Sequence, residues 1–470
     1  MNDDSSSRLV AELRRWLDSA AAGAQLPSSR TLVAEHGVSP VTVQKALRTL
    51  AAEGRVETRP GVGTFARTRP LARPADYGWQ TEALSLGTPT TPLSPSALQS
   101  VPNDVFALHS GYPDRELTPE SLVRAAFRRA ARANAITERP PTAGLPDLQA
   151  WFANEATTSS DAAAGSIAPS DVVVLPGSQS GLTTAFRALV GAGRSLVVES
   201  PTYWGAILAA RQVGVRTVPV PSGAAGPSPE AVDRALAESG ARAFYAQPNF
   251  ASPTGANWSP QLRRDLLEVM RSRGAFLIED DAAHDFGIAA PARPLIGGDT
   301  AGHVVYLRSL SKSVAPSVRV AAIVARGPAR QRILADAEVE SIYVSNVLQT
   351  VALDVVTQPA WRSHLRRVAR ELGARRDLLV AALAEHAPSL TLDHVPTGGL
   401  NLWARLPDET RLDRYVAACR DRGVTVGNGD EWFPAEPTGP FVRLNYAGPN
   451  PGGFGEAARV LGSVLTDGAW

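Results

Sequence analysis

At 470 residues, with 44% hydrophobic and 20% charged side chains, the chain is too long for one ordinary core and is expected to form two or three soluble domains. A formal net charge of +1 gives no global sign of nucleic acid, and the single cysteine, Cys419, excludes an internal disulfide framework and fits a reducing compartment. The polar, acidic start is not a signal peptide, and no apolar run reaches the ~18 residues of a membrane span, so a cytoplasmic protein without membrane contact is expected.

The first helix is predicted over Arg8–Ala20, with Leu9, Leu13, Trp16 and Leu17 on one face. A second opens at Ser28 and closes at Gly37. Ser39 caps a third, with Pro40 at its first position, where the missing N–H costs nothing. In that helix Val43, Leu47, Leu50 and Ala51 are expected to face a core, which leaves Thr42, Gln44, Lys45, Arg48 and Thr49 on other faces. Arg55–Ala66 then reads as two short strands around Pro60-Gly61. This order is a winged helix-turn-helix. Its third helix would enter a major groove, with Thr42, Gln44, Lys45 and Arg48 near base edges or phosphates, and Arg59 and the wing glycines Gly61 and Gly63 near the backbone or minor groove. Ten Lys/Arg against seven Asp/Glu through residue 69 is too small an excess to carry this; the order of elements carries it.

The runs Gln25-Leu26-Pro27-Ser28-Ser29-Arg30, Gly37-Val38-Ser39, Glu53-Gly54-Arg55-Val56 and Pro60-Gly61-Val62-Gly63-Thr64-Phe65 resemble the GntR family of regulators through the whole module. The resemblance implies DNA contacts from Arg30, Ser39 and the recognition helix. Residues 70–103 hold Pro70, Pro74, Pro89, Pro92, Pro95 and Pro102 and sustain no period, so they read as a semi-extended linker. Tyr77, Trp79 and Leu84 suggest that part of it packs.

Residues 104–470 alternate helices with short apolar strands, the pattern of an α/β domain with a mainly parallel sheet. Strands are predicted at 172–175, 195–198, 243–246, 276–278, 304–307 and 320–324. Loops at the ends of such strands bind ligands. Gly177-Ser178-Gln179-Ser180-Gly181 leads into a helix predicted over Leu182–Leu189 and suits a phosphate. Tyr203 either stacks on a flat ring or is an ordinary half-buried tyrosine. Glu279-Asp280-Asp281 stands at the end of an apolar strand, where a carboxylate can hold a pyridine nitrogen protonated. Arg443 sits within an apolar strand and needs a partner, either a ligand carboxylate or a structural acid.

Ser309-Leu310-Ser311-Lys312 with Arg319 seven residues on is a pyridoxal-phosphate pattern: the lysine amine forms a Schiff base with the cofactor aldehyde, and the hydroxyl and guanidinium hold its phosphate. Lys312 and Lys45 are the only lysines in the chain. Arginine carries surface charge equally well but does not deprotonate to attack an aldehyde.

In order, these segments resemble the fold-type-I aminotransferases over nearly all of residues 104–470, with about 360–470 as a smaller C-terminal α+β subdomain. Gly111-Tyr112-Pro113-Asp114, Thr142-Ala143-Gly144-Leu145, Pro253-Thr254-Gly255 and Ser311-Lys312 carry the resemblance. With the N-terminal module the chain resembles the MocR subfamily of GntR regulators. The resemblance implies Lys312 as the Schiff-base residue, Asp280 on the pyridine nitrogen, and Tyr203 on the ring. It implies Ser178, Gln179, Ser309 and Arg319 on the phosphate, Ser252 beside the cofactor, and Arg443 on an effector carboxylate. No metal is implied. Members are usually head-to-tail homodimers, so paired half-sites on double-stranded DNA are expected.

Two departures bear on enzyme against sensor. Ser252 stands where aminotransferases commonly have Asn, and Ala282-Ala283 where they have Tyr. Both missing groups would hydrogen-bond the cofactor's phenolic oxygen. His284 is read as an exposed loop residue. The expectation is a pyridoxal-phosphate-dependent regulator that senses an amine, an amino acid or the cofactor itself; the alternative is an active aminotransferase with an accessory DNA-binding module.

Overall fold

The computed structural model describes residues 2–21, 23–67, 79–80, 95–102, 105–159 and 166–468. The chain divides into two compact units, Met1–Pro92 and Leu93–Trp470.

In the first unit, helices α1 (Asn2–Ser19), α2 (Ser29–His36) and α3 (Pro40–Ala52) precede an antiparallel hairpin of β1 (Val56–Arg59) and β2 (Gly63–Ala66). Ser28 and Ser39 each cap a helix by accepting from the backbone N–H three residues on, at 3.1 Å. Leu9, Leu13, Leu32, Val43, Ala46, Leu50 and Val56 close one core. Ala51, expected in that core, is exposed, and Ala46 takes its place. The spacing 43, 46, 50 follows one helical face more closely than 43, 47, 50, 51; Leu50 is buried as expected and Leu47 packs at the edge of the core.

In the second unit an eight-stranded sheet runs β4 (Val172–Leu175), β11 (Ala321–Val324), β10 (Val304–Ser309), β9 (Phe276–Asp281), β8 (Ala243–Ala246), β5 (Ser195–Ser200), β6 (Arg216–Gly223), β7 (Gly226–Pro227). From β10 to β6 neighbours are parallel; β11 and β7 enter antiparallel. Two apolar clusters cover its two faces. Both sides being buried, β4, β8 and β11 are unbroken apolar runs rather than alternating ones. A second sheet, in the order β12 (Thr391–Leu392), β13 (Asn401–Arg405), β15 (Phe441–Asn445), β14 (Val424–Asn428), β3 (Phe106–Leu108), packs with the long helix Pro359–His386 around its own core. Its strand β3 comes from the start of the unit, far from residue 360 in sequence.

Of the stretch read as linker, residues 81–94, with Leu84, and Tyr77 lie outside the described residues. Trp79 is 65% exposed. Among the described residues of that stretch, the 3-10 turn Ser96–Leu98 packs, with Ser96 and Ala97 buried. No helix among the described residues is long and apolar enough to cross a membrane.

Candidate functional site: a recognition helix and a lysine cavity

On α3, Ser39 and Thr42 hold the helix start: their hydroxyls pair at 2.8 Å while Ser39 also takes the N–H of Thr42. Gln44, Lys45 and Arg48 are exposed along the helix, and Arg30 is exposed on α2. Val41, which the sequence reading passed over, is 69% exposed. It stands at i with Gln44, Lys45 and Arg48 at i+3, i+4 and i+7, so the four share one outward stripe. The signal was available in the sequence, as an apolar residue out of phase with Val43 and Leu50. In the wing, Arg59 lies over the Phe65 ring at 4.8 Å. Gly61 has φ +75° at the turn. Gly63 leaves room for Gln25, whose amide donates to Val62 O at 3.0 Å and ties the wing to the segment before α2.

In the second unit the ends of the parallel strands open on a cavity of about 310 Å³. Ser178, Gln179, Tyr203, Ser252, Ser309, Lys312, Arg319 and Arg443 all line it. The three acids are the last residues of β9, which runs three residues past the predicted end at 278. Alternation along β9 separates the three acids. Glu279 accepts from the N–H of Leu295 at 2.9 Å. Asp281 Oδ2 takes Tyr306 Oη at 2.9 Å and pairs with His284 Nδ1 at 2.6 Å. Burial works against ionised Asp281, but His284 and Tyr306 hold its carboxyl below the usual range. His284 is therefore not an exposed loop residue: its side chain is 10% exposed and packed on Asp281.

Asp280 points the other way. Its Oδ2 accepts from Tyr245 Oη at 2.9 Å and Gln247 Nε2 at 2.8 Å. Its Oδ1 is buried without a hydrogen-bond partner. Burial raises its carboxyl above the usual range despite those donors and Lys312. Burial likewise pushes the Lys312 ammonium down to about 8, against the pull of Asp280.

At the opposite end of the cavity, the helix Ser178–Ala185 begins at Gly177, whose φ is +95°. Any side chain at Gly177 would strike the Arg319 guanidinium. Arg319 Nη1 donates to Ser311 Oγ at 3.3 Å, and Ser309 Oγ accepts from the N–H of Ser311 at 3.2 Å. The helix predicted to begin at Leu182 begins four residues earlier, which puts Ser178 and Gln179 in its first turn. Tyr203 donates to Gln179 Oε1 at 3.2 Å, and Gln179 Nε2 to Gly205 O at 2.7 Å. Burial, then Asp280, raises the Tyr203 phenol, so it stays protonated.

Arg443 is 2% exposed. Its described partners are the backbone carbonyls of His109 and Ser110, and the Trp432 ring 4.7 Å away. Its Nε has no partner, and burial lowers the guanidinium to about 10. The structural acid offered as one alternative is not at hydrogen-bond distance among the described residues. Ser252 donates its N–H to Gln247 Oε1 at 2.8 Å. Ala282 lines the cavity, whereas Ala283 packs against the core of the second sheet.

Tyr245, Trp204 and the Ala97–Leu98 turn were not singled out from sequence, and Gln247, Ser311 and Tyr112 were given no role of their own. Gln247 is the joint of the site, since its amide reaches Asp280 with one end and the Ser252 loop with the other. Its place at the end of an apolar strand was the only cue.

Residues 103–461 match the model of the aminotransferase class I and II family, and residues 5–66 that of the bacterial regulatory proteins of the gntR family. The uncharacterized HTH-type transcriptional regulator YdfD of Bacillus subtilis is 26% identical over 433 residues, which cover 90% of this chain and 88% of that protein. The probable rhizopine catabolism regulatory protein MocR of Rhizobium meliloti is 27% identical over 453 residues, 94% of this chain and 90% of that one. Among solved structures, the α-aminoadipate aminotransferase LysN of Thermus thermophilus, complexed with N-(5'-phosphopyridoxyl)-L-leucine, is similar with a TM-score of 0.71 and 26% identity, over 78% of this chain and 93% of that one. The chain thus belongs to the aminotransferase class I and II family, and the GntR module ahead of that domain gives it the two-part composition of the MocR-type regulators.

Proposed function

We propose that the chain is a DNA-binding transcriptional regulator whose large unit holds pyridoxal 5'-phosphate and senses a small amine, an amino acid or the cofactor itself. The observation that carries this is the pairing of Lys312, its amine pushed toward the neutral form, with a buried Asp280 oxygen that has no partner. That oxygen fits a protonated pyridine nitrogen, and Tyr245 and Gln247 fix its direction. Bound, the cofactor supplies an aldehyde that condenses with amines and a ring that draws electron density. Ser178, Gln179, Ser309 and Arg319 gather donors for a phosphate, with Gly177 leaving the guanidinium its room. Tyr203 covers one ring face. Arg443, desolvated and with Nε unpaired, takes a ligand carboxylate.

A ligand moves the DNA-binding module only through a difference in affinity between two states of the protein. On DNA, Gln44 suits an adenine edge, Val41 a thymine methyl, and Lys45, Arg48, Arg30 and Arg59 suit phosphates or guanine. We further propose a head-to-tail homodimer in the cytoplasm. Exposed Ile136, Val339, Ile342 and Tyr343, with Arg139 over the Tyr343 ring, supply apolar surface for a second copy. Footprinting of the full chain on duplexes selected from a random pool tests the reading. Protection of two spaced half-sites, with affinity altered by pyridoxal phosphate or an amine, is expected; a single half-site bound at full affinity and indifferent to both would contradict it.

An active aminotransferase with an accessory DNA-binding module is the second reading, favoured by the same Lys312, Asp280 and Arg443. Ser252 and Ala282 stand against it. Sustained transfer from an amino acid to a 2-oxo acid at ~1 s⁻¹ or faster would decide for the enzyme.

A further inference from the structure

We propose that the opposite edge of the large sheet carries a second anion site, for a small free ligand with two or more linked phosphate groups. The site is independent of what the lysine cavity binds. Strands β8, β5 and β6 are neighbours and run parallel. Ser195, at the start of β5, is level with Arg216 of β6. Val197 is level with Phe244 of β8, so two residues back along the same register Ser195 is level with Arg242. Neighbouring strands stand ~4.8 Å apart, so an Arg-Ser-Arg row crosses the start of three strands. Arg194 directly precedes Ser195. All four line one cavity of about 210 Å³, with Ser239 and Gly240 from the end of the helix Pro229–Ser239. Ser195 is 8% exposed and the three arginines are exposed, so a recessed hydroxyl lies among guanidiniums that solvent reaches. β8 leads from Arg242 to Gln247 beside Lys312, which sets the two cavities at opposite ends of one strand.

This edge of an α/β sheet collects helix C-termini, whose carbonyls attract cations. That attraction accounts for part of one arginine: Arg242 Nη1 donates to Arg273 O, at the end of the helix Pro260–Arg273, at 2.5 Å. The arginines on the surrounding helices are matched by carboxylates: Arg187 by Asp336 at 2.8 Å, Arg271 by Glu268 at 3.6 Å and Arg273 by Asp233 at 2.5 Å. Among the described residues no carboxylate stands within 4.0 Å of the Arg194, Arg216 or Arg242 guanidinium. Glu238, beside Ser239, lines the neighbouring cleft with Val218 and Pro221. Three like charges on one small cavity repel one another. A multivalent anion relieves that repulsion and offers acceptor oxygens to each planar guanidinium. The row is two strand spacings wide, about 10 Å at the backbone, so linked phosphates bridge it better than a single one.

The test is isothermal titration calorimetry of the full chain with pyrophosphate, orthophosphate, sulfate and a short DNA duplex of random sequence. Pyrophosphate is expected to bind at least ~10-fold more tightly than orthophosphate or sulfate. Arg194→Ala and Arg216→Ala should each weaken it about 10-fold, and both side chains are exposed, so the cores stay intact. Binding should persist in Arg319→Ala, which separates this cavity from the phosphate end of the lysine cavity. Pyrophosphate that does not bind overturns the proposal, and a carboxylate of a second copy already seated on these arginines gives that result. Affinity lost in Arg319→Ala but kept in Arg194→Ala and Arg216→Ala overturns it too. So does sulfate that binds as tightly as pyrophosphate, or a duplex that binds through Arg194 and Arg216 where pyrophosphate does not.

Discussion

The recognition helix and the lysine cavity build their chemistry by opposite means. The exposed stripe proposed to meet DNA comes from one 13-residue helix, with side-chain directions set by the helical period alone. The cavity gathers residues between Ala97 and Arg443 from strand ends, loops and a turn, and buries its charges with partners missing. An exposed cation acts through a screened field, and losing it costs little. A buried carboxylate acts in a poor solvent, and its neighbours depend on it. Substitutions in the two regions should therefore differ in size and in salt dependence.

The largest effect should come from Asp280. Asp280→Ala removes the acceptor of Tyr245 and Gln247 as well as the oxygen proposed to meet the cofactor. A hydrogen bond to a charged group is worth roughly 1.5–3 kcal/mol, so pyridoxal-phosphate affinity, read by equilibrium dialysis, should fall about 10- to 150-fold. Unchanged affinity would mean that Asp280 is only a structural acid. Next is Gly177→Ala, whose side chain would collide with Arg319 at a positive φ. Affinity for pyridoxal phosphate should drop about 10-fold, whereas pyridoxal without phosphate should lose far less.

Lys312 attacks as the neutral amine, and its value is about 8 against an ordinary 10.5. The initial rate of cofactor uptake should climb about tenfold per pH unit below 8 and level off above it. Between 8 and 10.5 the unfolded chain binds more protons at this lysine than the folded chain does. The Lys312 contribution to stability should thus rise with pH across that window and be lost as pH falls through it. A rate still climbing beyond pH 9 would show the amine to be unperturbed.

Effects on the exposed helix should be smaller. Lys45→Ala or Arg48→Ala should weaken operator binding uniformly across sequences and reduce the salt slope by about 1. Val41→Ala should cost only about 3-fold, confined to sites with thymine at one position, and should be mimicked by replacing that thymine with deoxyuridine. A Val41→Ala loss as large as that of Asp280→Ala on its own ligand would break the contrast.

How much could be read in advance follows from the same difference. Ser28, Ser39 and Pro40 are local signals, so α2 and α3 were legible within a residue or two at their starts. Six strands of the large sheet were legible as apolar runs, because a sheet covered on both faces leaves little else in its strands. The acids of β9 were set at its end because apolar content stops at Ile278; hydrogen bonding to β10 carries the strand on to Asp281. Most of the named residues line one cavity, yet Gln247 was given no role and the Ala97–Leu98 turn was missed. Each matters through a contact made across the fold: Gln247 with Asp280, and Ser96 with Glu431, 335 residues away. His284 was misjudged although its main partner, Asp281, is only three residues away; its second neighbour, Tyr306, has no local signal.

Lys312 is proposed as the residue through which this chain holds pyridoxal phosphate. The most direct measurement is the visible absorption spectrum of the purified full chain with added pyridoxal phosphate, beside Lys312→Ala. The expected result is a protein-bound cofactor band in the wild type alone, fixed by borohydride and lost in the variant. No band in either protein, or the same band in both, would contradict the claim.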